Sequence, residues 1–147
     1  MIGKAAKSFR YAWSMIGNAE ARVIAVLLLE RTKDGNLRVI DLAVQLCSKA
    51  FIPCDSSYEV AMANRLVADG RRFYKPLRLL PGEEMLPDFV LVDTPVPTAI
   101  EVYGMESHDG YRRRKEQKQA IYSQNRTPCI EWVPPAHLAS VRLPAAA

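Results

Sequence analysis

Apolar and polar positions follow two rhythms along this chain, and each change of rhythm marks an element. Phe9, Trp13 and Ile16 recur at three-to-four spacing, which predicts a short helix over residues 4–16, ended by Gly17-Asn18. Arg22 to Glu30 is a β-branched and leucine-rich run, and Leu37-Arg38-Val39-Ile40 is a second one. Lys33-Asp34-Gly35-Asn36 lies between them, and an Asp-Gly step between apolar runs favours a hairpin, because its residues accept the positive φ of a tight turn. Leu42 to Phe51 reads as a short helix that Pro53 breaks.

From residue 56 the punctuation is denser. Ser56 and Glu59 have capping-box spacing at the start of a helix that runs to about Asp69, with Gly70 closing it. Arg72 to Leu80 reads as a strand anchored by Phe73 and Leu77, with Pro76 pushing it towards an edge or bulge. Pro81-Gly82 turns the chain. Phe89 to Val92 is a short buried strand, Asp93 to Pro97 a turn, and Ala99 to Tyr103 the next strand, stopped by Gly104. Asp109 to Gln124 is a strongly charged helix, and Thr127 to Val133 a last strand before Pro134-Pro135. The order is helix, strand, strand, strand, helix, strand. Short links make the first three strands an antiparallel meander. The helical crossover makes the last strand parallel to its neighbour. The expected class is therefore α/β in the α+β sense, a mixed sheet with a helix on each face.

Composition narrows this picture modestly. A chain of 147 residues suits a single domain with its own core, and 49% apolar residues exclude a disordered one. A net charge of +4 is a mild pointer to a polyanionic partner. Cys47, Cys54 and Cys129 are odd in number and form no CxxC pair, which disfavours zinc and fits buried thiols in a reducing cytoplasm. Val23 to Leu29 is too short to span a bilayer, and no signal-peptide stretch accompanies Lys4, Lys7 and Arg10. A cytoplasmic protein without a membrane partner is expected. Trp13 and Trp132 are read as core residues, and His108 as a turn residue.

Two carboxylates carry the candidate chemistry. Asp88 follows Pro87 where the second strand of the meander begins, and Glu101 lies in the middle of the third. Pairing through the Asp93–Pro97 turn brings them near each other, and neighbouring carboxylates repel unless a cation lies between them. Magnesium takes one or two carboxylates, waters and phosphate oxygens, which is the set a phosphodiester hydrolase uses. The plain alternatives are a capping role for Glu59, a turn role for Asp88, and an arginine partner such as Arg78 for a buried Glu101.

Pro87-Asp88 followed by Glu101-Val102-Tyr103, in this order of elements, resembles the PD-(D/E)XK nuclease superfamily over roughly residues 56–133. The resemblance implies a restriction-endonuclease-like αβββαβ core over residues 53–134, an N-terminal helix and hairpin extension over 1–52, and a tail over 135–147. It implies that Asp88 and Glu101 hold magnesium or manganese, with Glu59 joining the metal shell from the preceding helix. The superfamily's lysine would stand two residues after Glu101, where this chain has Tyr103. Tyr103 faces the same side of the strand but carries no positive charge. Some members move the lysine to the following helix, where Tyr111, Arg114 or Lys115, Lys118 and Tyr122 share a face at three-to-four spacing. Lys118 is the expected migrated lysine and Lys115 the reserve.

The resemblance thus implies a metal-dependent DNA endonuclease with Asp88, Glu101, Lys118, Glu59 and Tyr103 at its catalytic site. Arg113, Arg114 and Lys115 would contact DNA phosphates. The alternatives are a nuclease-like DNA-binding module without activity, which Tyr103 favours, and an accessory protein–protein module. Ile52-Pro53, Ser57, Glu59, Gly70 to Phe73 and Lys75 to Arg78 also look like the C-terminal part of proteins carried by plasmids and integrating elements, a mobile-element setting. A homodimer is compatible with all of these readings.

Overall fold

The computed structural model describes residues 5–104 and 109–147, and it divides the chain into two compact units, residues 1–60 and 61–147. His108 lies outside the described residues. Among the described residues the fold is mixed α and β, with three α-helices, a short 3-10 helix (Leu138–Ser140) and two sheets.

In the first unit, α1 (Ala5–Ser14) precedes a long hairpin of β1 (Ala21–Arg31) and β2 (Leu37–Ser48). The strands pair antiparallel from Ala21↔Ser48 to Arg31↔Leu37. The turn closes as the Thr32 N–H donates to the Asn36 carbonyl at 2.8 Å, with Gly35 at φ 81°. A register shift between Leu28 and Leu29 leaves Ile40 as the extra residue of β2. The hairpin expected from Asp34-Gly35 is present. The helix expected over Leu42 to Phe51 is not: Leu42 to Ser48 continue the ladder. Leu42, Val44 and Leu46 also keep a period of two, and β1 is long enough to pair with all of it. Past β2 the chain doubles back, and the Cys54 N–H donates to the Leu46 carbonyl at 2.8 Å. Trp13 is half exposed while its neighbour Ala12 is buried, so the expectation of a core tryptophan fails there and holds for Trp132.

The helix α2 (Ser57–Ala68) starts where the sequence places it. The Glu59 N–H donates to Ser56 Oγ at 3.2 Å, and Glu59 Oε2 accepts from the Asp55 N–H at 3.1 Å. It ends on Gly70 at φ 66°, with the Arg71 N–H returning to the Leu66 carbonyl and the Gly70 N–H to that of Val67. These are the two bonds that close a helix through a left-handed glycine.

The second unit holds a four-stranded sheet of β3 (Phe73–Tyr74), β4 (Phe89–Leu91), β5 (Thr98–Val102) and β6 (Cys129–Trp132), in that spatial order. The first three pair antiparallel, and β5 pairs parallel with β6 across α3 (Asp109–Gln124). This is the expected meander and crossover. The strand expected over Arg72 to Leu80 shrinks to two residues, since Pro76 has no N–H for a ladder. Register sorts the side chains into two faces. Phe89, Leu91, Ile100, Val102 and Trp132 are buried on one, and Phe73 meets Phe89 edge to face at 5.8 Å. Val90, Ala99, Glu101, Cys129 and Glu131 lie on the other.

Among the described residues no cysteine is in a disulfide; Cys47 and Cys54 are buried, whereas Cys129 is only partly so. Among the described residues no helix is long and apolar enough to cross a membrane.

Candidate functional site

The polar face of the sheet is organised around Glu101. Strand alternation turns its side chain away from Ile100 and Val102, and the residue is 1% exposed. A lone carboxylate in that position would be costly to ionise. Two groups of α3 meet it. Lys118 Nζ donates to Oε2 at 2.6 Å, and the Tyr122 hydroxyl donates to Oε1 at 2.5 Å. Lys118 and Tyr122 are four residues apart, so one helix face delivers both. Lys118 also donates to the Leu86 carbonyl at 2.9 Å, which ties α3 to the approach to β4. The cation at Glu101 is therefore Lys118 and not Arg78, which is exposed.

Burial pushes the Glu101 carboxyl above the usual carboxylate range, and the hydrogen bonds from Lys118 and Tyr122 oppose that rise. Burial likewise raises the Tyr122 phenol, and its bond to Glu101 raises it further. The Cys129 thiol is pushed up to about 12, chiefly by burial and then by the nearby carboxylates Glu101 and Glu131.

Asp88 sits one residue before β4, and the antiparallel register, carried one step on, puts it opposite Glu101. Its Oδ2 accepts from the Val102 N–H at 2.7 Å. Asp88 thus engages the backbone immediately after Glu101. Tyr103 follows β5 and stays in register, its N–H donating to the Trp132 carbonyl at 2.8 Å. It is buried, and Lys115 Nζ stands 4.8 Å from the centre of its ring, a cation–π arrangement. Burial, and then the Glu101 charge, raise the Tyr103 phenol as well. Arg113 and Arg114 are exposed on α3.

The structure therefore brings Glu101, Lys118 and Tyr122 into contact, sets Asp88 on the adjoining backbone, and places Lys115 on Tyr103. Glu59 has the local bonds of a helix cap. Sequence reasoning gave Tyr122 a helix face but no role, although its spacing from Lys118 was a usable signal. It gave Glu131 nothing. That residue lies beside Glu101 in the parallel register, and its two carboxylate oxygens accept from Gln119 Nε2 at 2.7 and 2.9 Å. Among the described residues, no group of three or more His, Cys, Asp or Glu could together hold a metal ion. A hollow of about 520 Å³ lies on the same sheet face, lined in part by Pro87, Val90, Ala99, Ile121 and Tyr122, with Glu83 and Glu84 also on its wall.

Residues 5–135, nearly the whole chain, match the profile of a family described as protein of unknown function (DUF1173). The chain belongs to the DUF1173 family. The matched span includes the hairpin of the first unit as well as every residue of the Glu101 cluster. No curated protein and no solved structure matches the chain.

Proposed function

We propose that this protein is a metal-dependent DNA endonuclease of PD-(D/E)XK type whose lysine has moved from the strand to α3. The observation that carries the reading is the contact between Lys118 and Glu101, on a sheet face where Asp88 continues the pairing register. Two neighbouring carboxylates that can hold a divalent cation, with an ammonium beside them, are the groups that metal-dependent phosphodiester hydrolysis uses. Asp88 and Glu101 would hold magnesium or manganese, which supplies charge stabilisation for the phosphate and a more acidic water. Lys118 places a positive charge beside that site, and Tyr122 fixes the Glu101 carboxylate against it. Tyr103 carries the Lys115 ammonium over its ring, and Arg113 and Arg114 offer phosphate contacts along α3. DNA is the partner of this reading, and a second copy of the chain is compatible with it.

A second reading has its own support. Both Glu101 oxygens are already in hydrogen bonds, and Asp88 caps a backbone N–H, so the cluster is satisfied as it stands. On that ground the same face would serve a DNA-binding module that cleaves nothing.

Nicking of supercoiled plasmid with magnesium separates the two. The expected result is nicking by the parent, loss of roughly a hundredfold or more in Lys118→Ala, and partial recovery in Lys118→Ala/Tyr103→Lys, which returns an ammonium to the same face. Asp88→Asn should lose magnesium binding by calorimetry. Activity in Lys118→Ala equal to the parent's overturns the migrated lysine. A parent that binds DNA but leaves every form intact favours the binding module.

A further inference from the structure

The hairpin of the first unit carries a surface that the Glu101 cluster does not use. Ile24, Val26, Leu27, Leu28 and Leu29 of β1 are all 40–65% exposed, and Val26 is the most exposed of them. Among the described residues the hairpin is a two-stranded sheet, a size that is marginal in water without further burial. Its two outer edges differ. The β2 edge is bulged at Ile40 and is bridged near its end by Pro53. A bulge and a covering segment are the ordinary means of blunting an edge. Between Arg22 and Glu30, β1 has no proline, glycine or charge, and among the described residues its ladder partner is β2 alone.

The β1 sequence is complementary to itself. Antiparallel pairing of two copies about Val26 sets Arg22 opposite Glu30 twice, once at each end, and Ile24 opposite Leu28 on the same face. On the other face, Val23 meets Leu29 and Ala25 meets Leu27, small side chains of one copy against leucines of the other. A hollow of about 510 Å³ lies along that first half of β1, lined by Met15, Ile16, Ala21, Val23 and Ala25 among others. This is where the register delivers the leucines of the second copy. Shifting the register by one residue in one direction sets Arg22 opposite Arg31, and like charges directly opposite are unfavourable. In the other direction Arg22 meets Leu29 and Glu30 meets Ala21, and both Arg22–Glu30 pairs are lost.

We propose that β1 is a dimerisation edge, paired antiparallel with β1 of a second copy in the register centred on Val26. The contact is isologous, so it closes at two copies and continues the hairpins into one four-stranded sheet. Two flanking ion pairs fix the register, and the apolar residues between them supply the burial.

The test is the mass of the full chain in solution by light scattering and sedimentation, with folding followed by circular dichroism. The parent is expected to be a dimer. Arg22→Glu and Glu30→Arg should each weaken it by roughly tenfold or more, since each sets like charges opposite at both ends. Mixed in equal amounts, the two variants should form a heterodimer that is tighter than either variant's own dimer, because each end then sets one acid against one base, the parental pair at one end and the reversed pair at the other. A misfolded variant could not be rescued by that mixture. A monomeric parent overturns the proposal, and protected β1 amides in that monomer would assign the edge to the rest of the same chain. A dimer indifferent to both charge reversals, or two weakened variants that do not recover on mixing, overturns the register and the edge alike.

Discussion

At the scale of single residues, Glu101 and Lys118 depend on each other unequally. Glu101 is sealed in the sheet, whereas the Lys118 side chain keeps about a quarter of its exposure. Losing the lysine therefore strands a buried carboxylate, while losing the carboxylate leaves an ammonium that water can still reach. Lys118→Met is expected to cost about 3 kcal/mol near neutral pH. Glu101→Gln should cost less, about 1–2 kcal/mol. The pH dependence follows from linkage. Burial holds the Glu101 carboxyl above its ordinary 4.5, and removing Lys118 takes away a group that lowers it. A raised folded-state pKa favours folding most below the unfolded value, and that contribution is lost as pH rises through the folded pKa. The Lys118→Met penalty should thus be small at about pH 4 and grow as pH rises above it. Urea melts of parent and variant across that range measure it, and a penalty independent of pH would mean that Glu101 does not bear the loss.

At the scale of elements, α3 presents two different sides. Lys115, Lys118 and Tyr122 face the sheet, and Arg112, Arg113 and Arg114 are exposed. A solvated basic face and a phosphate-binding face look the same until salt is varied. Each phosphate contact contributes about −0.9 to the log–log salt slope of DNA affinity. Neutralising Arg113 and Arg114 together should flatten that slope by roughly one to two units. Fluorescence anisotropy on a short duplex over a salt series is the measurement, and a parental slope in the double variant would make this face solvated only. Lys115→Ala should change the slope less, because its ammonium stands over the Tyr103 ring.

At the scale of the whole molecule, the second unit is fastened by a buried ion pair remote from Glu101. Arg71 Nε and Nη2 donate to the two Asp93 oxygens at 2.8 and 2.7 Å, and the Arg72 N–H donates to Oδ2 at 2.9 Å. Arg71 also donates to the Pro144 carbonyl, so the end of α2, the β4–β5 turn and the C-terminal segment meet at one guanidinium. The Arg71 hydrogen bonds, aided by the Arg72 N–H, hold the Asp93 carboxyl well below the usual carboxylate range. A depressed carboxylate contributes stability that is present above its unfolded value near 3.8 and is lost as pH falls towards the folded pKa. Parent protein should therefore lose stability progressively below about pH 4. Asp93→Asn should be less stable at neutral pH and show a shallower acid loss, read by thermal melts at several pH values. Equal acid slopes in the two proteins would place the acid-sensitive group elsewhere.

What the sequence determined by itself was whatever local chemistry decides. Ser56, Glu59 and Gly70 bounded α2, because caps and left-handed glycines act within one turn. Asp34-Gly35 marked the hairpin for the same reason. The order of strands around α3 followed from short links and one crossover, and with it the placing of Asp88 near Glu101. Other features were settled only by packing. The run Leu42 to Ser48 suits helix or strand, and pairing along the whole of β1 decided for strand. Arg72 to Leu80 had the composition of a strand, but a proline left it without ladder bonds. The choice of Lys118 over Arg78 as the partner of Glu101 depended on which helix face lay over the sheet, a distance of 17 residues along the chain. Glu131 became a neighbour of Glu101 only through parallel register, which no local signal encodes. Cooperative burial set those contacts, since a carboxylate withdrawn from water accepts whichever donors the tertiary structure brings within reach.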